Sequence, residues 1–279
     1  MKVIVTGGKG LLGTSIVPVL RGYFDCAVYD IDEWDITSEL AGKKMFDLHH
    51  PDVLVNLAAM TDVDGCEDKA ALAERSNVEG PAVLAGLCSA FRAKLVHIST
   101  DYVFDGEKNS PYREGDEPRP QSVYGRTKLA GERKILERDI NSTIIRTEWL
   151  YGPGGTSFVD RIVAIARTRG HASVVNDQQG SPTYAGDLAL PLVRIIERDL
   201  TGIYHVSNNG SCTWYDFAKA IFSILRMNVE VIPISSAELG RKARRPSYSV
   251  FDLSKLRRDT GIEMRNWMDA LEDYLTRAP

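Results

Sequence analysis

Met1-Lys-Val-Ile-Val-Thr-Gly-Gly-Lys-Gly-Leu-Leu-Gly13 decides the fold class of this chain. An apolar, β-branched run, Val3–Val5, gives way to a glycine turn, and the pattern then becomes helical over Leu11–Leu20. Each glycine has its own task in a dinucleotide-binding turn. Gly7 permits the tight turn, Gly10 lets a pyrophosphate approach the backbone, and Gly13 lets helix and strand pack closely. The start of the helix adds N–H groups and a favourable dipole for phosphates. The plainer alternative is a turn with only a structural role, but a strand before it and a helix after it favour the dinucleotide.

The same rhythm continues outward from that turn. Strand-like runs recur at Ala27–Tyr29, Val53–Leu57, Leu95–Ile98 and Thr143–Arg146. Amphipathic segments separate them: Ser38–Leu48, Ala70–Phe91 (broken near Asn77) and Ser122–Glu137. Repetition of this kind predicts an α/β fold, a Rossmann-like, doubly wound parallel sheet with helices on both faces. Its active site should open at the carboxyl ends of the strands. Residues 1–150 are expected to form the dinucleotide-binding domain, with the Tyr/Lys helix inside it. Residues 151–279 are expected to form a smaller substrate-binding lobe, partly interleaved with the first. Glycine and proline punctuate Tyr151-Gly-Pro-Gly-Gly155 and Gly180-Ser-Pro-Thr183, and shorter helices follow at Thr213–Leu225 and Met268–Thr276. Ser110–Pro120 reads as a surface loop near the mouth of the site.

Composition bounds the partners. With 279 residues, 43% hydrophobic and 26% charged, the chain is an ordinary globular protein. A net charge of −4 argues against binding dominated by nucleic-acid phosphates. No apolar stretch approaches the roughly 20 residues that span a bilayer, so no membrane partner is expected. The first strand begins at once, which predicts no signal peptide and a cytoplasmic protein. Cys26, Cys66, Cys88 and Cys212 are dispersed and read as reduced thiols. His49-His50 before Pro51 reads as a helix end, and no metal is predicted.

The chemistry concentrates in a few places. Tyr124 and Lys128 in Ser122-Val-Tyr-Gly-Arg-Thr-Lys128 are four residues apart, one above the other on a helix. An ammonium beside a phenol favours phenolate, so the pair is expected to bring the tyrosine toward neutrality, ready for proton transfer. Chance pairs of this spacing on solvated helices are common, and the glycine turn is what changes the reading. Thr100 closes the fourth strand, where its hydroxyl can donate to a carbonyl oxygen; it is preferred to Ser99 because adjacent strand side chains point oppositely. The alternative for Thr100 is a hydroxyl that only caps a turn. Asp30 ends the second strand, where a carboxylate can accept both ribose hydroxyls and repel a 2′-phosphate, which leans the cofactor toward NADH. Asp32 rivals it, and Lys9 could accommodate NADPH. Asp35-Ile-Thr37 can equally be an N-cap for the next helix. The small residues of Asn56-Leu-Ala-Ala-Met60 let the third strand lie against the cofactor, or simply allow tight helix packing.

These motifs resemble the extended short-chain dehydrogenase/reductases. Ser99-Thr-Asp-Tyr-Val-Phe-Asp-Gly106, Arg146-Thr-Glu-Trp-Leu-Tyr-Gly152, Asp177-Gln-Gln-Gly-Ser-Pro-Thr183 and Arg245-Pro-Ser-Tyr-Ser249 narrow the likeness to the dTDP-4-dehydrorhamnose reductase family. The resemblance implies reduction by NADH or NADPH of the C4 ketone of a dTDP-6-deoxyhexulose, the last step in making dTDP-L-rhamnose. It implies Thr100, Tyr124 and Lys128 as the catalytic set. Gly10, Leu11, Leu12, Asp30, Ala58, Ala59 and Met60 fall at cofactor positions. Gly7, Gly13, Ile31, Asp35, Ile36, Asn56, Tyr124 and Lys128 complete that set. Thr100, Asp101, Tyr102, Trp149 and Arg245 fall on the substrate side, Arg245 toward the diphosphate unless its basic run is only a solvated loop. Cys66 and Ser157 stand where the family commonly has alanine and asparagine. Some members dimerise through magnesium; here a monomer or homodimer without metal is expected. A nucleotide-sugar epimerase or dehydratase could use the same scaffold, although Tyr102 stands where a dehydratase commonly carries glutamate. A non-catalytic regulatory subunit, like the methionine adenosyltransferase β subunit, is the reading outside enzymes.

Overall fold

Alternation along the buried strands sets the layers. The computed structural model describes residues 1–277. Its first half contains β1 (Lys2–Thr6), β2 (Asp25–Tyr29), β3 (Val53–Asn56), β4 (Lys94–Thr100) and β5 (Ser142–Thr147). Val3 and Val5, Val53 and Val55, and Val96 point to one face; Ile4, Leu54 and Leu95 point to the other. Helix α1 (Leu11–Leu20) and helix Ala189–Glu197 cover the first face with Ile16, Leu20, Leu192 and Ile195. Helices α2 (Glu39–His49) and α5 (Gly80–Phe91) cover the second with Phe46, Leu84 and Leu87. Burying each such side chain is worth roughly 1.5–3 kcal/mol, so both faces contribute to holding the sheet between its helices.

Six strands make the sheet, all in parallel, with strand Gly202–His205 next to β5 and then β4, β3, β1 and β2. The second half of the chain therefore completes the sheet of the first. The order reverses between β1 and β3, and the ligand crevice of such folds lies at that switch point.

Capping explains where the helices begin. Ser38 starts α2, accepting from the Ala41 N–H, and the left-handed His50 ends it. Ser122 starts α6 (Val123–Leu136) by accepting from the Gly125 N–H. The buried stripe of α6 includes Tyr124, Lys128, Leu129, Glu132 and Ile135, so the phenol and the ammonium face inward together. Between α3 (Val63–Asp68) and α5 the expected long helix is interrupted. α4 (Ala70–Glu74) runs into a π-helical turn, Arg75–Glu79, that holds Asn77. The Asn77 amide accepts from the Met60 N–H (2.8 Å) and donates to the Met60 carbonyl (3.1 Å), pinning the turn after β3.

The remaining lobe pairs strand His171–Val175 with strand Glu230–Ile234. Helices Phe158–Arg169, Trp214–Ile224 and Trp267–Arg277 pack around Phe217, Ile221 and Leu271. Two of these helices open with reciprocal capping boxes, Ser157 with Asp160 and Thr213 with Asp216. Serine and asparagine are both favoured N-caps, so Ser157 caps this helix at the position where asparagine was expected.

Candidate active site

The carboxyl ends of the strands open into one cleft of about 1070 Å³. On one side lies the glycine turn. Gly7 has φ +73°, and a Cβ there would sit 2.7 Å from the Ala58 nitrogen. A Cβ on Gly13 would come within 2.4 Å of the Gly8 carbonyl oxygen. Gly10 is different: a Cβ would meet nothing nearer than the Gly7 carbonyl at 3.4 Å, so its face is open to the cleft. Bare backbone above uncapped N–H groups of α1 suits a pyrophosphate. Leu11, Leu12, Ala58, Ala59 and Met60 line the same wall.

At the end of β2 the Asp30 carboxylate accepts from the Lys9 and Ile31 N–H groups, each at 2.8 Å. The Lys9 ammonium sits on Asp32 at 2.5 Å, with Glu33 at 3.7 Å. Ile31 is exposed at the rim. Asp35 does not cap α2; it accepts from Thr37 and pairs with Arg75 at 2.8 Å. Ile36 is buried, packing where Gly80 leaves room, and also lines the cleft. Asn56 is the one expected cofactor residue set behind the wall. Fully buried, it accepts from Thr6 (2.7 Å) and Ala58 N–H (3.1 Å) and bonds His97 (2.9 Å). It shapes the Ala58 turn from the rear.

Thr100, Tyr124 and Lys128 all line the cleft between the two sides. Thr100 donates to Asp101 Oδ1 at 3.0 Å and accepts from the Tyr102 N–H at 3.3 Å. The Tyr124 ring meets Tyr102 edge-on, centroids 5.3 Å apart. The expected acidification of the phenol is corrected here. Burial pushes the Tyr124 phenol up, and the Thr100 hydroxyl offsets only part of that rise. Lys128 turns its ammonium to the Ile98 carbonyl (2.6 Å) and His97 (3.4 Å). Burial lowers Lys128 to about 8, with Glu132 opposing. For both groups lost hydration is the largest cause of the shift, and it disfavours the charged form of each.

The far side is built from distant segments. Trp149 follows β5 with φ +46°, a conformation costly for a bulky residue, and its ring stacks on Trp214 at 3.5 Å and 6°. Asp101 and Glu148 are buried beside it. Arg245 lines the cleft, but its guanidinium forks onto Asp64 at 3.0 and 3.2 Å. Arg241 also faces Asp64, and Lys242 pairs with Asp68, so the basic run clasps α3 rather than waving in solvent. Trp214, Phe158, Gln178 and Glu148 line the cleft and were not singled out from sequence. Trp214 follows the capping Thr213, a signal that places it at a helix start but not against Trp149. Among the described residues no cluster of three or more metal-ligating side chains occurs, and no helix is long and apolar enough to cross a membrane.

A fully parallel sheet with a glycine turn and a strand-end cleft at its switch point defines an α/β protein of the Rossmann type. The chain belongs to the RmlD substrate binding domain family, whose model matches residues 1–279. It is 41% identical over 280 residues to a dTDP-4-dehydrorhamnose reductase of Streptomyces griseus, covering 97% of this chain and 91% of that one. It is similar to the crystal structure of a dTDP-4-dehydrorhamnose reductase from Clostridium acetobutylicum, with TM-score 0.96, 40% identity and 99% of both chains covered. A Bacillus anthracis dTDP-4-dehydrorhamnose reductase solved in complex with NADP has TM-score 0.96 and 39% identity, again over 99% of both chains.

Proposed function

We propose that this chain is an NAD(P)H-dependent oxidoreductase that reduces the C4 ketone of dTDP-4-dehydrorhamnose to give dTDP-L-rhamnose. The observation that carries this reading is the meeting of Thr100, Tyr124 and Lys128 in the same cleft as the glycine turn. Near-full-length likeness to reductases of that name supports the substrate. Gly7, Gly10, Leu11, Leu12, Gly13 and Ala58–Met60 would hold the dinucleotide, with Asp30 on the adenosine ribose. A reduced nicotinamide bound there supplies the hydride for the ketone carbon. Thr100 holds the carbonyl oxygen, and Tyr124 gives its phenolic proton to that oxygen as charge develops on it. Held neutral by burial, Tyr124 carries the proton that the developing alkoxide takes. Lys128, charged below about pH 8, stabilises the phenolate left behind. Tyr102, Trp149 and Trp214 offer rings to the apolar faces of the sugar, and Asp101 a carboxyl group to its hydroxyls. Arg245 reaches the diphosphate by exchanging Asp64 for phosphate oxygens.

NADH is the preferred coenzyme in this reading, because the Asp30 carboxylate repels a 2′-phosphate. The Bacillus anthracis relative was solved with NADP, and here Lys9 would have to leave Asp32 to receive that phosphate. The test is NADH and NADPH consumption with the dTDP-ketosugar, with the stereochemistry of the product determined. No oxidation of either coenzyme, or a product epimeric at C4, overturns the assignment.

A further inference from the structure

Glu132 lies one helical turn beyond Lys128 and two beyond Tyr124, on the inward stripe of α6. Its carboxylate accepts three hydrogen bonds. Arg146 Nε donates to Oε1 (2.9 Å) and Arg146 Nη2 to Oε2 (2.6 Å), and the Ser99 hydroxyl donates to Oε1 (2.5 Å). The side chains of Arg146 and Glu132 are 2% and 1% exposed, and neither lines the cleft. The guanidinium also lies over the Phe104 ring, 5.2 Å from its centroid. The three partners come from the three elements that carry the site. Ser99 precedes Thr100 on β4, Glu132 shares α6 with Tyr124 and Lys128, and Arg146 precedes Thr147 at the end of β5, just before Glu148 and Trp149.

Stability alone is a poor account of this group. Taking two charges out of water costs about as much as their attraction returns, and apolar side chains of similar volume commonly hold a core as well. Arg146 Nη1 is buried without a partner, which weakens the case further. What apolar contact does not supply is direction. From Tyr124 to Gly131 the buried residues of α6 are Tyr124, Gly125, Thr127, Lys128, Leu129 and Gly131, with Leu129 the one large aliphatic side chain. The two glycines bring the helix hard against backbone: a Cβ would lie 2.2 Å from the Tyr102 carbonyl oxygen at Gly125 and 2.1 Å from that of Asn77 at Gly131. A helix seated on so little apolar surface needs directional bonds to fix how far along and how far round it sits. We propose that Glu132, gripped by Ser99 and Arg146, is a positioning residue that sets the height and rotation of α6 against β4 and β5 and so keeps Tyr124 and Lys128 in reach of Thr100. The proposal rests on the reading of those three residues as the catalytic set. Lys128 also ties α6 to β4, donating to the Ile98 carbonyl at 2.6 Å. Its flexible stem follows a shifting helix, however, whereas a carboxylate–guanidinium fork has one geometry.

The experiment replaces the whole group by apolar side chains, Ser99→Ala/Glu132→Leu/Arg146→Met, beside Ser99→Ala alone. Melting temperature, NADH affinity by fluorescence, kcat and KM for the dTDP-ketosugar, and amide hydrogen exchange along Val123–Leu136 are measured. A misplacement of about 1 Å at a reacting group costs up to about 10²-fold, so kcat of the triple variant should fall about 10- to 100-fold. Its KM and NADH affinity should stay within about threefold, and Ser99→Ala alone should keep kcat within about threefold, because the fork remains. The α6 amides should exchange faster while those of the central strands do not change. Retention of wild-type kcat, unchanged exchange in α6, or the full loss already in Ser99→Ala overturns the proposal. If the triple variant does not fold, Arg146→Lys, which keeps the charge and loses the fork, decides: kcat should drop about fivefold or more with NADH affinity held, and wild-type kcat overturns the proposal. A wild type that reduces no ketosugar sinks the functional reading instead, and hydrogen exchange in α6 then judges the grip of Glu132 by itself.

Discussion

The two walls of the cleft are made by different means. Most of the glycine wall comes from one stretch: thirteen residues at the N-terminus supply strand, turn and helix start, joined by Ala58–Met60, and backbone atoms do most of the work. The opposite wall is assembled from side chains far apart in sequence, Asp101, Glu148, Trp149, Trp214 and Arg245, brought together by tertiary packing. Backbone recognition tolerates little change because it depends on missing side chains. Side-chain recognition can be retuned one residue at a time. The contrast predicts that cofactor binding and sugar binding can be broken separately.

The largest effect should come where the walls meet. Tyr124→Phe removes the proton donor and should lower kcat by about 10²–10⁴-fold. Cofactor affinity, followed by NADH fluorescence, should stay within about twofold, since the ring remains; wild-type turnover would remove Tyr124 from the mechanism.

Next comes the glycine wall. Gly13→Ala places a methyl group 2.4 Å from the Gly8 carbonyl, backbone against backbone. Overpacking of that kind costs about 1–3 kcal/mol, so the melting temperature and NADH affinity should fall together. An unchanged melt with normal affinity would show that this close approach is not needed.

The sugar wall should respond in the opposite sense. Trp214→Ala strips the stack from Trp149, worth about 0.5–1.5 kcal/mol, and should raise KM for the nucleotide sugar by up to about tenfold. NADH affinity should not move; if it does, the two walls are coupled.

A pH titration sharpens the boundary. With its folded pKa lowered to about 8, Lys128 loses its charge as pH rises through that value, and kcat/KM should decline there. Lys128→Met should be slow but lack that limb. The linkage sign follows from the same shift. The unfolded chain binds the proton more tightly, so this group's penalty on stability is full below about pH 8 and is relieved toward its unfolded value of about 10.4.

The smallest effect lies at the rim. Asp32→Ala leaves the exposed Lys9 ammonium only the more distant Glu33, and the NADPH-to-NADH ratio of kcat/KM should rise only a few-fold, because surface pairs are worth about 0–1 kcal/mol.

What could be read in the sequence follows the same division. Gly7, Gly10 and Gly13, with a strand before and a helix after, carry their meaning locally, and α6 announces Tyr124 and Lys128 by spacing alone. The electrostatic reading of that pair was not accessible, since spacing says nothing about burial, and burial reversed the shift on the phenol. Asn56 falls at the right place in the chain yet points behind the wall, because its partners Thr6 and His97 come from neighbouring strands. Glu148 was visible only as a letter beside Trp149, and its burial against Ser181 and Ser249 depends on the fold. Asp64, which captures Arg245 from 181 residues away, leaves no trace in local pattern.

Strand Gly202–His205 gives this molecule a manufacturing constraint. Until those residues leave the ribosome, β5 is an edge strand with unpaired backbone groups that invites pairing with any extended chain nearby. A polypeptide stopped near residue 150 would keep that border permanently, and should precipitate unless the missing piece is supplied in trans.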